Sequence, residues 1–171
     1  MQRLDYERCA PDGMKLLGSV HDYVARSSLP RPLIDLVYLR VSLINGCSYF
    51  TGLHSRNLVR SGTSVTKLAL VPVWRESGEH FTEQEKAALA WAEALTSVAQ
   101  THAPGSDYKA VATCFNEKEL ADLTIAIGLM NTYNRIAIGF RHGPRLPKHL
   151  VKSSALTSNT KIQKDKELAP A

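Results

Sequence analysis

The chain has 171 residues, 44% apolar and 22% charged, with a formal charge of +5. That length holds one domain with a real core, and the composition is that of a soluble globular protein. No apolar run approaches the ~20 residues of a bilayer span, and "MQRLDYERCAPDG" at the start has no apolar h-region, so neither a membrane span nor a secretory signal is expected.

Taken in chain order, the pattern is helical nearly everywhere. Pro11 suits a first helical position, and Met14, Leu17, Val20 and Val24 recur at helix spacing. "SSLPRP" (27–32) breaks that helix and starts another. Leu33, Leu36, Val37, Arg40, Val41 and Ile44 carry the second helix to the turn signal Asn45-Gly46. A third helix runs from about Cys47 to Arg60, where Ser61-Gly62 stops it. Residues 64–75 read as weakly helical because Pro72 interrupts them. Thr82-x-x-Glu85 is a capping box with Phe81 before it as a staple, and Ala88, Trp91, Ala92, Leu95 and Val98 then form one apolar stripe. "THAPGSD" is a loop, followed by a short helix near 106–114. Asn116-x-x-Glu119 opens a long helix with Leu120, Leu123, Ile127 and Met130 on one face. That helix can run through Asn134 to Arg141, where "HGPRLP" ends it.

Residues 1–134 hold 13 basic and 14 acidic side chains, and residues 135–171 hold 8 and 2. The basicity therefore belongs to the last helix and the tail. Residues 152–171 are polar, Lys-rich and aperiodic, and read as a disordered basic tail behind a domain of residues 1–151. No recognition motif accompanies the charge, so nucleic acid is not the expected partner. No strand pattern or repeat stands out. The fold class expected is all-α, a helical bundle.

The chemistry concentrates at residues 44–54, "INGCSYFTGLH". Three widely spaced cysteines (Cys9, Cys47, Cys114) make no disulfide framework and point to a reducing cytoplasm. Cys47 follows Asn45-Gly46 and should fall in the first turn of its helix, where free N–H groups favour a thiolate. The plain alternative is a small buried hydrophobe. His54 shares a face with Cys47 but lies ~10.5 Å away along the helix axis, too far for direct proton transfer. Its contact neighbour is Phe50, four residues back.

Asp35 sits in the apolar "LIDLVYLR" and needs a partner, such as Arg40 or another cation. Structural and chemical roles stand equally open there. Asn131 and Asn134 interrupt an apolar face and are expected to tie helices together. Tyr49 and Trp91 read as core. His21, His80, His102, His142 and His149 show no metal-ligand spacing, so no metal and no cofactor are expected.

"LVYLRVSLINGCSYFTGLHSRNLVRSG" resembles the core motif of the carboxymuconolactone decarboxylase and alkylhydroperoxidase D (AhpD-like) family, E-x11-C-x-x-C-x-x-x-H. "RLDYERCAPDGMKLL", "WRESGEHFTEQEKAALAWAEALT" and "LADLTIAIGLMNTYNRIAIGFR" resemble further segments of that family, so the likeness covers about residues 2–142. The resemblance implies an all-helical AhpD-like bundle and a homo-oligomer, a dimer, trimer or hexamer. It also implies peroxide reduction by a thiol pair, in which the second cysteine attacks and the first resolves. Matched residue by residue, Asp35 takes the Glu position, Cys47 the resolving cysteine and His54 the histidine. Phe50 replaces the attacking cysteine.

That departure removes any two-thiol cycle within the motif. Three readings follow. The first is a one-cysteine thiol peroxidase with peroxiredoxin-type antioxidant activity, acting on a peroxide through Cys47 and a thiol reductant. The second is a decarboxylase-type enzyme working on a small organic substrate with His54 as acid and base. The third is an inactive homologue kept as a binding module. The catalytic candidates are Cys47, His54 and Asp35.

Overall fold

The computed structural model describes residues 2–144, and the expected tail at 152–171 lies outside them. The described residues form nine α-helices and no strand: α1 (Tyr6–Cys9), α2 (Pro11–Ala25), α3 (Arg31–Ile44), α4 (Ser48–Arg60), α5 (Val65–Leu70), α6 (Glu83–Thr96), α7 (Val98–Thr101), α8 (Gly105–Ala112) and α9 (Glu117–Gly139). Two 3-10 segments, Val71–Glu76 and Gly78–His80, link α5 to α6.

Helix α3 is the axis of the bundle. It packs against α4, α6 and α9. Every residue from Leu33 to Leu39 is buried, and so are Val41 and Ser42. A helix apolar on nearly all sides belongs in the interior, and Asp35 is the one buried charge that α3 carries. One apolar cluster joins α2, α3, α6, α8 and α9 through residues such as Val24, Val37, Trp91 and Ile127. A second, around Leu36, Leu58, Trp74, Phe81 and Leu89, fills the space between α3, α4, α6 and the first 3-10 segment. Each such side chain contributes about 1.5–3 kcal/mol by leaving water.

Local chemistry sets the ends. Both capping boxes form: Thr82 with Glu85 at α6, and Asn116 with Glu119 at α9. Helix α3 closes in a Schellman motif. Gly46 takes φ +69°, Cys47 N–H donates to Ser42 O at 2.8 Å, and Gly46 N–H donates to Leu43 O at 3.2 Å. Helix α9 closes the same way. There the left-handed residue is not glycine but Arg141, at φ 53°, with His142 N–H on Ala137 O at 2.8 Å.

The structure corrects several expectations. A short α1 precedes Pro11, and Val20 lies on an exposed face. Around Pro72 the weak helicity of 64–75 divides into α5 and a 3-10 segment, because the proline ring is accepted in a first turn while the i−4 bond is lost. The α6 stripe stops before Val98, which is 49% exposed and belongs to the separate α7. The short helix begins at Gly105, inside the expected loop. Arg40 does not serve Asp35. It pairs with Glu93 at 2.7 Å, in a cluster with Trp74 and Arg75.

Candidate functional site

Cys47 stands at the N-cap of α4, one place ahead of the first turn expected for it. Leaving the Schellman motif of α3, Cys47 takes an extended backbone, φ −86° and ψ 97°, so helical geometry begins only at Ser48. The side chain is 2% exposed. Burial pushes the thiol up, and the Phe50 and Tyr49 amides, which favour the thiolate, offset this only in part. Neither amide makes a true capping hydrogen bond to the sulfur, so burial prevails.

Asp35 and His54 meet inside the protein. His54 Nδ1 donates to Asp35 Oδ1 at 2.8 Å, and Asn57 Nδ2 donates to the same oxygen at 3.1 Å. Arg31, one helical turn before Asp35, brings Nε to 3.4 Å from Oδ2. Burial alone would raise the Asp35 carboxyl, but the bonds from His54 and Asn57 and the Arg31 charge outweigh it and hold it below the usual range. Burial pushes His54 down, with Asp35 recovering only part of the shift. At neutral pH the pair is a carboxylate accepting from a neutral imidazole. His54 Nε2 then carries a lone pair that no partner among the described residues meets, and the buried Tyr38 hydroxyl likewise finds none there. The Phe50 ring stacks on His54 with centroids 5.9 Å apart and planes 13° apart, and Tyr38 meets it edge-on at 5.0 Å. Position 50 is thus the neighbour of His54, as the i, i+4 spacing requires.

Cys47 opens instead on a cleft of ≈270 Å³ between the start of α4 and the end of α9, shared with Gly46, Ser48, Arg141 and His142. His142 shares a 2.8 Å hydrogen bond with Tyr6 and packs tilted against the Tyr49 ring, with centroids 4.3 Å apart. Burial, with the nearby acidic groups, pushes the Tyr6 phenol up to about 12, so it stays protonated. The cleft therefore gathers a thiol, an imidazole and a guanidinium. Sequence reasoning missed His142, treating it only as part of a helix stop. It shares a cleft with Cys47 because α9 packs against α3 and both helices end in the same motif, which no local spacing reveals. Asp35 and His54 do not line this cleft.

Asn134 Nδ2 donates to Ser42 Oγ at 3.3 Å, and Asn45 Nδ2 donates to Asn131 Oδ1 at 2.9 Å, so both amides tie α9 to the α3 end as expected. Trp91 is core, with Nε1 donating to Thr124 Oγ1. Tyr49 is not; it is half-buried and lines a surface cleft. All three cysteines are free, Cys9 exposed and Cys114 half-buried. Among the described residues no group of three or more His, Cys, Asp or Glu is placed to hold a metal, and no helix is long and apolar enough to cross a membrane.

Residues 11–94 match the profile of the Carboxymuconolactone decarboxylase family. An uncharacterised Bacillus subtilis protein, YdfG, is 31% identical over 137 residues, which cover 80% of this chain and 92% of that one. The crystal structure of a protein of unknown function from Agrobacterium tumefaciens, provisionally named an antioxidant defence protein AhpD, superposes with a TM-score of 0.83. It is 37% identical, across 86% of this chain and all of that one. The debrominase Bmp8, solved with 2,3,4-tribromopyrrole, shares the fold at a TM-score of 0.69 and 19% identity, over 81% of this chain and 73% of its own.

Proposed function

Because the chain belongs to the carboxymuconolactone decarboxylase family, we propose that it is a one-cysteine, thiol-dependent peroxidase in which Cys47 reacts. The observation that supports this is the placement of Cys47: it lines a cleft beside His142 and Arg141, whereas Asp35 and His54 pair in the interior. In the reaction, the Cys47 thiolate attacks a peroxide oxygen. An S–O bond forms, the O–O bond breaks, and the departing alkoxide or hydroxide takes a proton, for which His142 is the nearby carrier. Two thiols of a reductant then return the sulfenic acid to the thiol, releasing water and a disulfide. Asp35 and His54 act as positioning residues, holding the stack of His54 on Phe50 that borders the α4 start. The domain runs over residues 1–151, works as a homo-oligomer in the cytoplasm, and needs neither cofactor nor metal.

The test is direct. With hydrogen peroxide, a sulfenic-acid probe should label Cys47, and Cys47→Ser should abolish both labelling and peroxide consumption. If native Cys47 resists the probe and no peroxide is consumed, the peroxidase reading is lost. One observation favours a second reading, an acid–base enzyme of the decarboxylase kind: the intact Asp35–His54 pair with its unpartnered Nε2. It predicts turnover that survives Cys47→Ser and is lost in His54→Ala.

A further inference from the structure

Two clefts meet at His142. One, of ≈270 Å³, holds Cys47 and Arg141. The other, of ≈370 Å³, is lined by Glu7, Tyr49, Arg56 and His142. We propose that the paired clefts bind a low-molecular-weight thiol bearing two carboxylates and an ammonium group, of the glutathione kind, as the reductant of Cys47. This rests on the peroxidase reading and gives it a reductant class.

Charge and size carry the argument. Glu7, Arg56 and Arg141 make no ion pair among the described residues, so their charges are open to a ligand in the clefts they line. Two guanidiniums and one carboxylate thus face the two clefts unmatched. Guanidinium is the planar, two-pronged partner of a carboxylate, and Glu7 is the complement of an ammonium. The second cleft already falls in the usual range of ligand sites, roughly 300–1,000 Å³, and the first adds room beside the thiol. Arg56 lies back along its own helix over Gly52, where an added Cβ would meet the guanidinium Nη1 at 3.3 Å. Arg141 occupies a left-handed backbone position at φ 53° that glycine would fill with less strain.

The chemistry balances. The first thiol attacks the Cys47 sulfenic acid; an S–S bond forms, the S–O bond breaks, and water leaves with the thiol proton. A second thiol attacks the ligand sulfur of that mixed disulfide, expels the Cys47 thiolate and leaves the small-molecule disulfide. The two electrons given up by two thiols are those the peroxide consumed.

The probe for the subsite is S-methylglutathione, which cannot react, titrated into the reduced full-length protein by calorimetry. Binding should be measurable and should weaken about tenfold in Arg56→Gln and in Arg141→Gln, the cost of one charged contact. Arg141→Gly should lose affinity equally while melting no lower than wild type, which separates lost contact from lost fold. In a Cys9→Ser/Cys114→Ser background oxidised with one equivalent of peroxide, intact mass should show a glutathione adduct forming on Cys47 faster than a 2-mercaptoethanol adduct. Absence of S-methylglutathione binding, or binding indifferent to both arginines, overturns the inference. That result leaves sulfenic-acid labelling of Cys47 untouched, and the labelling separately decides the peroxidase reading.

Discussion

Replacing Asp35 by alanine removes the acceptor on which three donors converge. The carboxylate is 2% exposed and takes His54 Nδ1, Asn57 Nδ2 and Arg31 Nε. Arg31 is about half exposed and Asn57 only part-buried, so water recovers most of their loss. His54 is buried, and its stranded N–H costs about 1–3 kcal/mol, with a further contribution from the lost charge-assisted bond. Relief of the buried carboxylate's desolvation offsets part of this, so the net cost expected for Asp35→Ala is about 3 kcal/mol. That corresponds to a fall of roughly 6–12 °C in Tm. Asp35→Asn, which can still accept from His54, should lose about half as much.

Urea unfolding at pH 7, followed by circular dichroism, measures these losses. Acid titration adds a second check. The Asp35 carboxyl is depressed on folding, so its contribution is present above ~3.9 and disappears as pH falls through the lower folded value. His54 is also depressed, so the unfolded chain takes up its proton first, and stability falls as pH drops below ~6.5. Both effects have the same sign, and Asp35→Ala should erase the more acidic one. If Asp35→Ala unfolds within 1 kcal/mol of wild type, as a surface substitution does, the buried network has no role in holding α4 against α3.

The raised Cys47 thiol makes a kinetic demand: its alkylation and peroxide oxidation should still be accelerating above pH ~8.5, the ordinary thiol value. A rate already flat at pH 8 would contradict the burial argument. Phe50→Cys places a thiol at N3 opposite the N-cap thiol of Cys47. It should form a disulfide on oxidation, seen as two fewer titratable thiols, and should lower the stability of the reduced form by about 2 kcal/mol. If both thiols remain titratable after oxidation, the α4 start cannot host a resolving pair. Asn116→Ala removes the cap of α9 and should cost about 1 kcal/mol in the same urea assay.

What the sequence disclosed was whatever depends on neighbours in the chain. Asn116 and Glu119 announced the start of α9 because a capping box is a local hydrogen-bonded unit. Phe50 and His54 touch because four residues make one turn. Asp35 marks the limit of that logic. Its nearby cation is Arg31, one turn back, while Arg40, five residues on, turns toward Glu93. Its closest bond, to His54, needs the antiparallel return of α4 along α3, which spacing alone does not contain. Family resemblance placed Asp35, Cys47 and His54 in one motif, but the structure divides them between an interior pair and a surface cleft. His142, 95 positions from Cys47 in the chain, enters that cleft only through the packing of α9.

The Phe50 ring bears on how this chain can change. It stacks on His54, meets Tyr49 edge-on at 4.9 Å and lies 5.7 Å from Tyr133 on α9. The ring therefore binds α4 to α9 as well as occupying the second thiol's place. A cysteine at position 50 would forfeit that aromatic packing and leave Tyr133 facing a gap. A second thiol at this position therefore comes only with a refit of the rings that now pack around Phe50.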